Sequence, residues 1–214
     1  MRAIIFGNGE IYDYKLIGKH IQPAADKDLI ICCDGGLRHA KQLDLMPDYI
    51  VGDCDSVSQD LLFEYRDKGV EVKEFPKEKD FTDMELALEL AISSGVSNID
   101  IFGAVGNRLD HSLANAYILL KPLRKGIKAK LLNESNEVMI IDNQIELYKK
   151  IGAIVSLIPL TSEVCGVSTR GLKYPLKDET LYMGETRGIS NVFLEENISI
   201  HIESGLLFVI LSRD

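Results

Sequence analysis

The chain has 214 residues, of which 46% are hydrophobic and 27% charged, a composition typical of globular proteins and not of disordered ones. Its formal net charge of −9 disfavours binding to the phosphate backbone of nucleic acids. No stretch approaches the roughly 20 apolar residues of a membrane span, and no signal peptide is recognised, so we expect a cytoplasmic protein that binds neither nucleic acid nor membrane.

The first part of the chain alternates short apolar runs with segments of helical spacing. The predicted strands are Ala3–Phe6, Leu29–Cys33, Tyr49–Val51, Val70–Phe75, Ile99–Phe102 and Ile127–Leu132. The predicted helices are Gly36–Leu43, Ser58–Lys68, Thr82–Ser93, which starts with the capping-box pair Thr82 and Glu85, and Asp110–Leu123, with an apolar stripe of Leu113, Tyr117 and Leu120. This alternation predicts an α/β fold, an open parallel Rossmann-like sheet with helices on both faces.

After Asn133 the helical spacing stops, and short β-prone runs follow one another closely. Ile198, Ile200 and Ile202 alternate with polar residues, which is the period of a half-buried strand. The other predicted strands are Glu137–Ile141, Ala153–Ile158, Cys165–Thr169, Thr180–Met183 and Leu206–Leu211. The pattern predicts a C-terminal all-β sandwich or roll, and we divide the chain into domains 1–128 and 129–214.

Acidic and glycine residues follow several strands of the predicted parallel sheet. Asp34 to Gly36 follow one strand, Asp53 and Asp55 follow the next, and residues 103–111 follow a later one. Because the carboxyl ends of parallel strands share one edge of the sheet, these loops should converge on one ligand site. Two carboxylates two residues apart are suited to Mg²⁺, and glycines let the backbone approach a nucleotide closely.

Basic residues in the same loops suit a phosphate ligand, although each one alone is a weak signal. Arg108, Lys77 and Lys79 can neutralise phosphate oxygens, but lysines in a charged run are more often solvated surface residues. Asp83 and Asp110, taken singly, are more often helix caps than ligands. The segment Lys77–Asp83, which follows the strand that ends at Phe75, is a fourth such loop, and four loops at one edge with these residue types together point to phosphoryl transfer.

Five motifs, in one order along nearly the whole chain, resemble those of the thiamine pyrophosphokinase family. They are C-D-G-G at Cys33–Gly36, G-D-x-D-S at Gly52–Ser56, K-D-x-T-D with a following A-L at Lys79–Leu88, G-x-x-G-x-R-x-D-H-x-x-x-N at Gly103–Asn115, and S-T-x-G-L-K-Y-P-L at Ser168–Leu176 followed by G-x-S-N at Gly188–Asn191. The resemblance implies a homodimer with the active site between subunits, which transfers the diphosphate of ATP to the hydroxyl of thiamine with Mg²⁺ as cofactor.

The resemblance also assigns roles to individual residues by motif position. The implied Mg²⁺ ligands are Asp53, Asp55 and Asp83, which with Arg108 form the implied catalytic set. The implied ATP-binding residues are Asp34, Gly35, Gly36, Lys79, Thr82, Arg108, Asp110, His111 and Asn115. Ser190 and Asn191 are the implied thiamine-binding residues, while Phe193 and Phe208 are more simply interpreted as core residues.

Two other functions remain open at this point. A diphosphokinase for another hydroxymethyl heterocycle, such as a pterin, would need the same ATP chemistry with a different acceptor. A non-catalytic module that binds nucleotide or thiamine is compatible with the same fold. The complete set of acids argues against the second alternative, because a pure binder has little need for carboxylates directed at a metal and phosphates.

Overall fold

The computed structural model describes residues 1–21 and 28–213 and divides the chain into two compact units, Met1–Glu134 and Ser135–Asp214. Strand pairing explains where the first unit ends. Lys128–Leu132 forms a strand in parallel register with Asn98–Phe102, so a boundary between residues 128 and 129 would cut this strand at its first residue. None of the helices in the described ranges is both long enough and apolar enough to cross a membrane.

The first unit is an α/β domain built on six parallel strands. The strands are β1 (Arg2–Phe6), β2 (Leu29–Cys33), β3 (Tyr49–Gly52), β4 (Glu71–Glu74), β5 (Asn98–Phe102) and β6 (Lys128–Leu132). The helices are α1 (Tyr14–Ile21), α2 (Leu37–Gln42), α3 (Gln59–Asp67), α4 (Asp83–Ser93), α5 (Leu109–Tyr117) and α6 (Leu120–Leu123), with a 3₁₀ turn at Asp34–Gly36. The strand order is β6-β5-β1-β2-β3-β4, so the chain runs outward from β1 to β4 and then returns to β5 on the other side of β1.

Both faces of this sheet are covered, because successive residues of each strand point to opposite sides. Ile4 and Phe6 of β1 pack in one cluster with apolar residues of α1, α2 and α3. Ile5, between them, points to the opposite face; it is also fully buried but lies outside that cluster. Helix α4 contributes four buried residues that lie outside the cluster as well. The predicted parallel sheet with helices on both faces is therefore confirmed.

Helix starts follow the expected capping chemistry. Thr82 Oγ1 accepts a hydrogen bond from the Glu85 N–H at 3.2 Å, as the capping-box pattern predicts. Asp13 caps α1 in the same way, accepting from the Leu16 N–H at 2.9 Å. Helix α1 was absent from the sequence prediction, because its eight residues are too few to show a clear periodicity.

The prediction of one continuous helix over Asp110–Leu123 is wrong. The segment is divided into α5 and α6, and none of the nine residues of α5 is buried. Leu113 and Tyr117, two residues of the predicted apolar stripe, are 50% and 48% exposed. Periodicity identified an apolar helix face correctly, but it could not show whether anything in the chain covers that face.

The second unit is a sandwich of two antiparallel sheets, as predicted. Its strands are β7 (Asn136–Ile141), β8 (Gln144–Tyr148), β9 (Ala153–Pro159), β10 (Glu163–Arg170), β11 (Glu179–Tyr182), β12 (Asn191–Val192), β13 (Asn197–His201) and β14 (Leu207–Arg213). One sheet has the order β12-β9-β14-β7 and the other β11-β10-β13-β8. Val155, Val164 and Val209, fully buried, belong to one apolar core formed by both sheets. Strands β8 and β12 were not predicted, since β8 has few apolar residues and β12 is only two residues long.

Candidate active site

The carboxyl ends of β2 and β3 bring three carboxylates together. One oxygen atom from each of Asp34, Asp53 and Asp55 lies within 4.8 Å of the others. The Asp55 N–H donates to Asp53 Oδ1 at 3.1 Å, and the Ser56 N–H donates to Asp34 Oδ1 at 3.3 Å, so backbone groups orient two of the three acids. Carboxylates grouped this closely are the donor set that a hard divalent cation requires.

The surroundings of Asp34 and Asp55 shift the pKa values of their carboxyls in opposite directions. Asp34 is only 6% exposed, and burial raises the pKa of its carboxyl above the usual value. Asp55 is exposed, and the hydrogen bond from Lys77 Nζ, at 2.5 Å, lowers the pKa of its carboxyl. The sequence assigned Asp34 to the nucleotide and not to the metal, yet it is the most buried of the three acids.

Asp83, the third predicted metal ligand, is not a member of this close group but lies beside it. A Cβ placed on Gly52 would lie 3.1 Å from Asp34 Cβ and 3.2 Å from Asp83 Cγ, so both acids flank the same glycine. Asp83 Oδ1 lies 2.9 Å from Lys79 Nζ, at an angle outside those of a hydrogen bond. Among the described residues, this buried oxygen accepts no hydrogen bond, and the cation that it faces is the Lys79 ammonium.

Gly35 and Gly36 lie under the loop that follows β1, where a side chain would not fit. A Cβ on Gly35 would lie 2.2 Å from Asn8 Oδ1, and one on Gly36 would lie 2.2 Å from the Phe6 carbonyl oxygen. Asp34 itself has φ 43°, a left-handed conformation that directs its carboxyl back towards the β3 loop. Gly36 is therefore needed for close packing of backbone around the acids, whereas the contact at Gly35 is with the movable end of the Asn8 side chain.

The loop after β5 carries Arg108, one of the basic residues predicted to contact phosphate. Arg108 forms a two-pronged contact with Asp110, with Nη2 at 2.6 Å and Nε at 3.2 Å from the two carboxylate oxygens, and this lowers the pKa of Asp110 to about 2. His111 Nε2 is 4.0 Å from the same carboxylate. Asn115 lies deeper and donates to the Ala104 carbonyl at 2.7 Å, so its amide holds the loop. Thr82 is engaged as the helix cap described above.

The predicted thiamine residues lie in the β-sandwich, where a pocket of about 420 Å³ is lined by Tyr174, Leu176, Thr186, Arg187, Gly188, Ile189 and Asn191. Asn191 is 4% exposed, and its amide accepts from the Tyr174 N–H at 3.0 Å and donates to the Tyr174 carbonyl at 2.7 Å. It therefore shapes the pocket wall. Ser190 is exposed beside it, whereas Phe193 and Phe208 are buried.

Sequence reasoning missed the loop after β1 and the residues that hold it. Gly7 to Gly9 lie beside the loops of β2 and β5, at the same edge of the sheet. Arg38 and His39 of α2 both contact this loop through its carbonyl oxygens. The pattern Gly7-Asn8-Gly9 directly after a buried strand was the available signal, since glycines at that position often mark a ligand loop.

An open α/β sheet binds ligands at the carboxyl edge of its strands, and acids grouped at that edge are typical of an enzyme that transfers phosphoryl groups. Two family models match the chain: "Thiamin pyrophosphokinase, catalytic domain" over residues 22–131 and "Thiamin pyrophosphokinase, vitamin B1 binding domain" over residues 142–207. The chain belongs to the thiamine pyrophosphokinase family.

Individual relatives agree with this assignment. A thiamine pyrophosphokinase of Bacillus subtilis is 28% identical over 191 residues, which cover 88% of this chain and 86% of the relative. Thiamine pyrophosphokinase 1 of Oryza sativa is 27% identical over 179 residues, 78% of this chain and 67% of the relative. The crystal structure of the Bacillus subtilis protein superposes with a TM-score of 0.90 at 26% identity over 100% of both chains. A family protein from Enterococcus faecalis gives 0.85 at 26% identity, covering 100% of both chains.

Proposed function

We propose that this chain is an ATP:thiamine diphosphotransferase, which transfers the diphosphate of ATP to the thiamine hydroxyl and releases AMP. The observation that supports this most directly is the convergence of Asp34, Asp53 and Asp55 at the edge of an α/β sheet, in a chain of the thiamine pyrophosphokinase family. The hydroxyl attacks the β-phosphorus, so the residues around it must align acceptor and phosphate and offset the developing negative charge.

The acids suit Mg²⁺, which when bound neutralises charge on the phosphate oxygens. We propose Asp53, Asp55 and Asp34 as the close ligand set, with Asp83 beside them through the oxygen that faces Lys79. Lys77, which contacts Asp55, must then release this carboxylate and is placed to meet a phosphate oxygen instead. Lys79 stays beside Asp83, where its charge offsets that of the acid.

The remaining residues of the edge are proposed to bind ATP. Arg108 is exposed and its fork already matches a pair of oxygens on Asp110, so it can exchange that carboxylate for the triphosphate. Gly35 and Gly36 let the 3₁₀ turn approach the nucleotide. Thr82, His111 and Asn115 are proposed to complete this site, Thr82 and Asn115 by fixing the loops on which ligand-contacting residues lie.

Thiamine is proposed to bind at the pocket of the β-sandwich. The pocket residues Tyr174 to Asn191 fall within the range matched by the vitamin B1 binding domain. Tyr174 is 59% exposed and offers an aromatic face, while Ser190 offers a hydroxyl next to the pocket. We propose a homodimer with the active site between subunits, as the motif resemblance implies, and a cytoplasmic location, where ATP is available.

The test is to incubate the purified protein with ATP, Mg²⁺ and thiamine and to separate the products by chromatography. Equal amounts of AMP and thiamine diphosphate, abolished by EDTA, are the expected result. The variant Asp55→Asn should lose most turnover and most Mg²⁺ affinity in calorimetry while keeping its unfolding midpoint. Asp67→Asn, the same change at an exposed position of α3, is the matched control. ADP with thiamine monophosphate as products would refute attack at the β-phosphorus, and turnover of a pterin alone would identify a different acceptor.

A further inference from the structure

The loop Gly7–Glu10, at the carboxyl end of the central strand β1, is fixed against the neighbouring loop by backbone contacts alone. The Gly7 N–H donates to the Phe102 carbonyl and the Gly9 N–H to the Gly103 carbonyl, each at 2.8 Å. Cβ atoms on Gly7 and Gly9 would lie 2.5 and 2.6 Å from the Gly103 oxygen. The glycines permit this close approach, while on the other side of the loop the Asn8 and Glu10 side chains accept hydrogen bonds from Arg38 of α2.

On that other side, a buried histidine holds the loop. His39 of α2 is 0% exposed, and its Nε2 lies 2.8 Å from the Gly9 carbonyl oxygen. Its Nδ1 lies 2.8 Å from the Tyr14 hydroxyl of α1. Because a carbonyl oxygen only accepts, Nε2 must carry the proton, and Nδ1 of the neutral ring then accepts from the Tyr14 O–H.

The neighbouring residue on α2 connects this loop to the acid group. Arg38 Nη2 donates to the Asn8 carbonyl at 2.7 Å and to the Gly9 carbonyl at 3.2 Å, and its Nη1 donates to the Gly35 carbonyl at 3.2 Å. The Gly9 carbonyl thus accepts from both Arg38 and His39. Helix α2 in this way joins the β1 loop to the turn on which Asp34 lies.

We propose that His39, protonated at Nε2, is a positioning residue that acts through the Gly9 carbonyl to keep the loop Gly7–Glu10 ordered for ATP binding. The inference rests on the proposed function, because it takes this edge of the sheet as the nucleotide site. A glycine loop has many accessible conformations when free, so ordering it before substrate arrives lowers the cost of binding. The ring is too deeply buried to touch ATP itself, which separates it from the ligand-contacting residues.

The expected kinetic signature is a change in KM for ATP with little change in kcat, since the loop contributes to binding and not to the reacting atoms. His39→Leu fills the space but cannot donate to Gly9, and we expect its KM for ATP to rise about tenfold with the KM for thiamine unchanged. In His39→Gln the amide nitrogen can replace Nε2 as donor, so this variant should stay within about threefold of the unsubstituted protein. His201→Leu, at an exposed position of β13, is the matched control and should change neither constant.

Two results would overturn the proposal: a normal KM for ATP in folded His39→Leu, or the same increase in both His39 variants. Should His39→Leu fail to fold, ¹⁵N NMR of the unsubstituted protein at pH 7 decides instead. The His39 ring must show a protonated Nε2 and a bare Nδ1, and the opposite tautomer refutes the inference. If the unsubstituted protein makes no thiamine diphosphate, the proposed function is refuted and the role of His39 is still testable. The variants are then compared by their affinity for ATP, measured by calorimetry, in place of KM.

Discussion

Gly36→Ala tests whether the acid group depends on close packing between the 3₁₀ turn and β1. Gly36 has φ −60° and ψ −18°, a conformation that alanine adopts freely, so the substitution introduces a contact and no backbone strain. The new Cβ would lie 2.2 Å from the Phe6 carbonyl oxygen, whereas ordinary contacts begin at 3.4 Å, so the two segments must separate by about 1.2 Å.

This separation should affect both stability and activity. Phe6 is 0% exposed in the central strand, so most of the shift must fall on the turn that contains Asp34. Overpacking of this kind costs about 1–3 kcal/mol of unfolding free energy. A displacement of about 1 Å in a group that binds the metal or phosphates is expected to lower kcat/KM roughly 100-fold.

Urea unfolding and an AMP-release assay measure the two effects. Gly18→Ala provides the control, because Gly18 lies within α1 and, among the residues that the structure describes, its Cβ would meet only Leu43 Cδ2 at 3.7 Å. That variant should gain about 0.5–1 kcal/mol from helix propensity and keep full activity. A Gly36→Ala variant with normal stability and normal kcat/KM would show that the turn can move away from β1 without loss of stability or activity, which would refute the argument.

Three further predictions concern other parts of the molecule. Asn191→Ala should cost about 1–3 kcal/mol in urea unfolding, because the Tyr174 backbone loses its partners; an unchanged midpoint would contradict this. Arg108→Lys should leave the unfolding midpoint unchanged and raise the KM for ATP about tenfold, the effect of losing one charge-assisted hydrogen bond, and an unaltered KM would exclude Arg108 from the ATP site. Burial lowers the pKa of His39 in the folded protein, so the unfolded chain binds the proton more readily. The free energy of unfolding should therefore fall as the pH drops below about 6.5. An equal fall in the His39→Gln variant would show that another group causes the pH dependence.

The charges near His39 determine how far this pH effect extends. Besides burial, which is the main cause of the lowered pKa, Arg38 lowers the pKa of the ring further, while Glu10 and Glu134 raise it. The stability that depends on the neutral ring is complete above pH 6.5 and is lost as the pH falls from there towards the lower pKa of the folded state. Urea unfolding at pH 7.5, 6.5 and 5.5 covers this window.

Much of the fold could be predicted because its signals are local. Apolar runs bounded by glycine and acidic residues predicted all six parallel strands, and Thr82 with Glu85 predicted where α4 begins. The grouping of Asp34, Asp53 and Asp55 was also within reach, since parallel strands place their carboxyl ends at one edge. The division between metal and nucleotide roles was not, because it depends on side-chain burial and direction.

What the sequence could not predict depends on contacts between distant residues. His39 appears as one polar residue on a short helix, and nothing in the pattern pairs it with Gly9 or with Tyr14. The exposure of Leu113 is a similar case, because an apolar side chain has the same place in a periodic pattern whether or not another surface covers it.

The position of β1 in the sheet has a consequence for biosynthesis. Its residues Ala3–Phe6 are fully buried between β2 and β5, but β5 begins only at Asn98, so one side of the strand has no partner until most of the first unit has been translated. At typical elongation rates this interval lasts on the order of ten seconds. During that time one edge of this apolar segment has no partner in its own chain and is open to pairing with other chains.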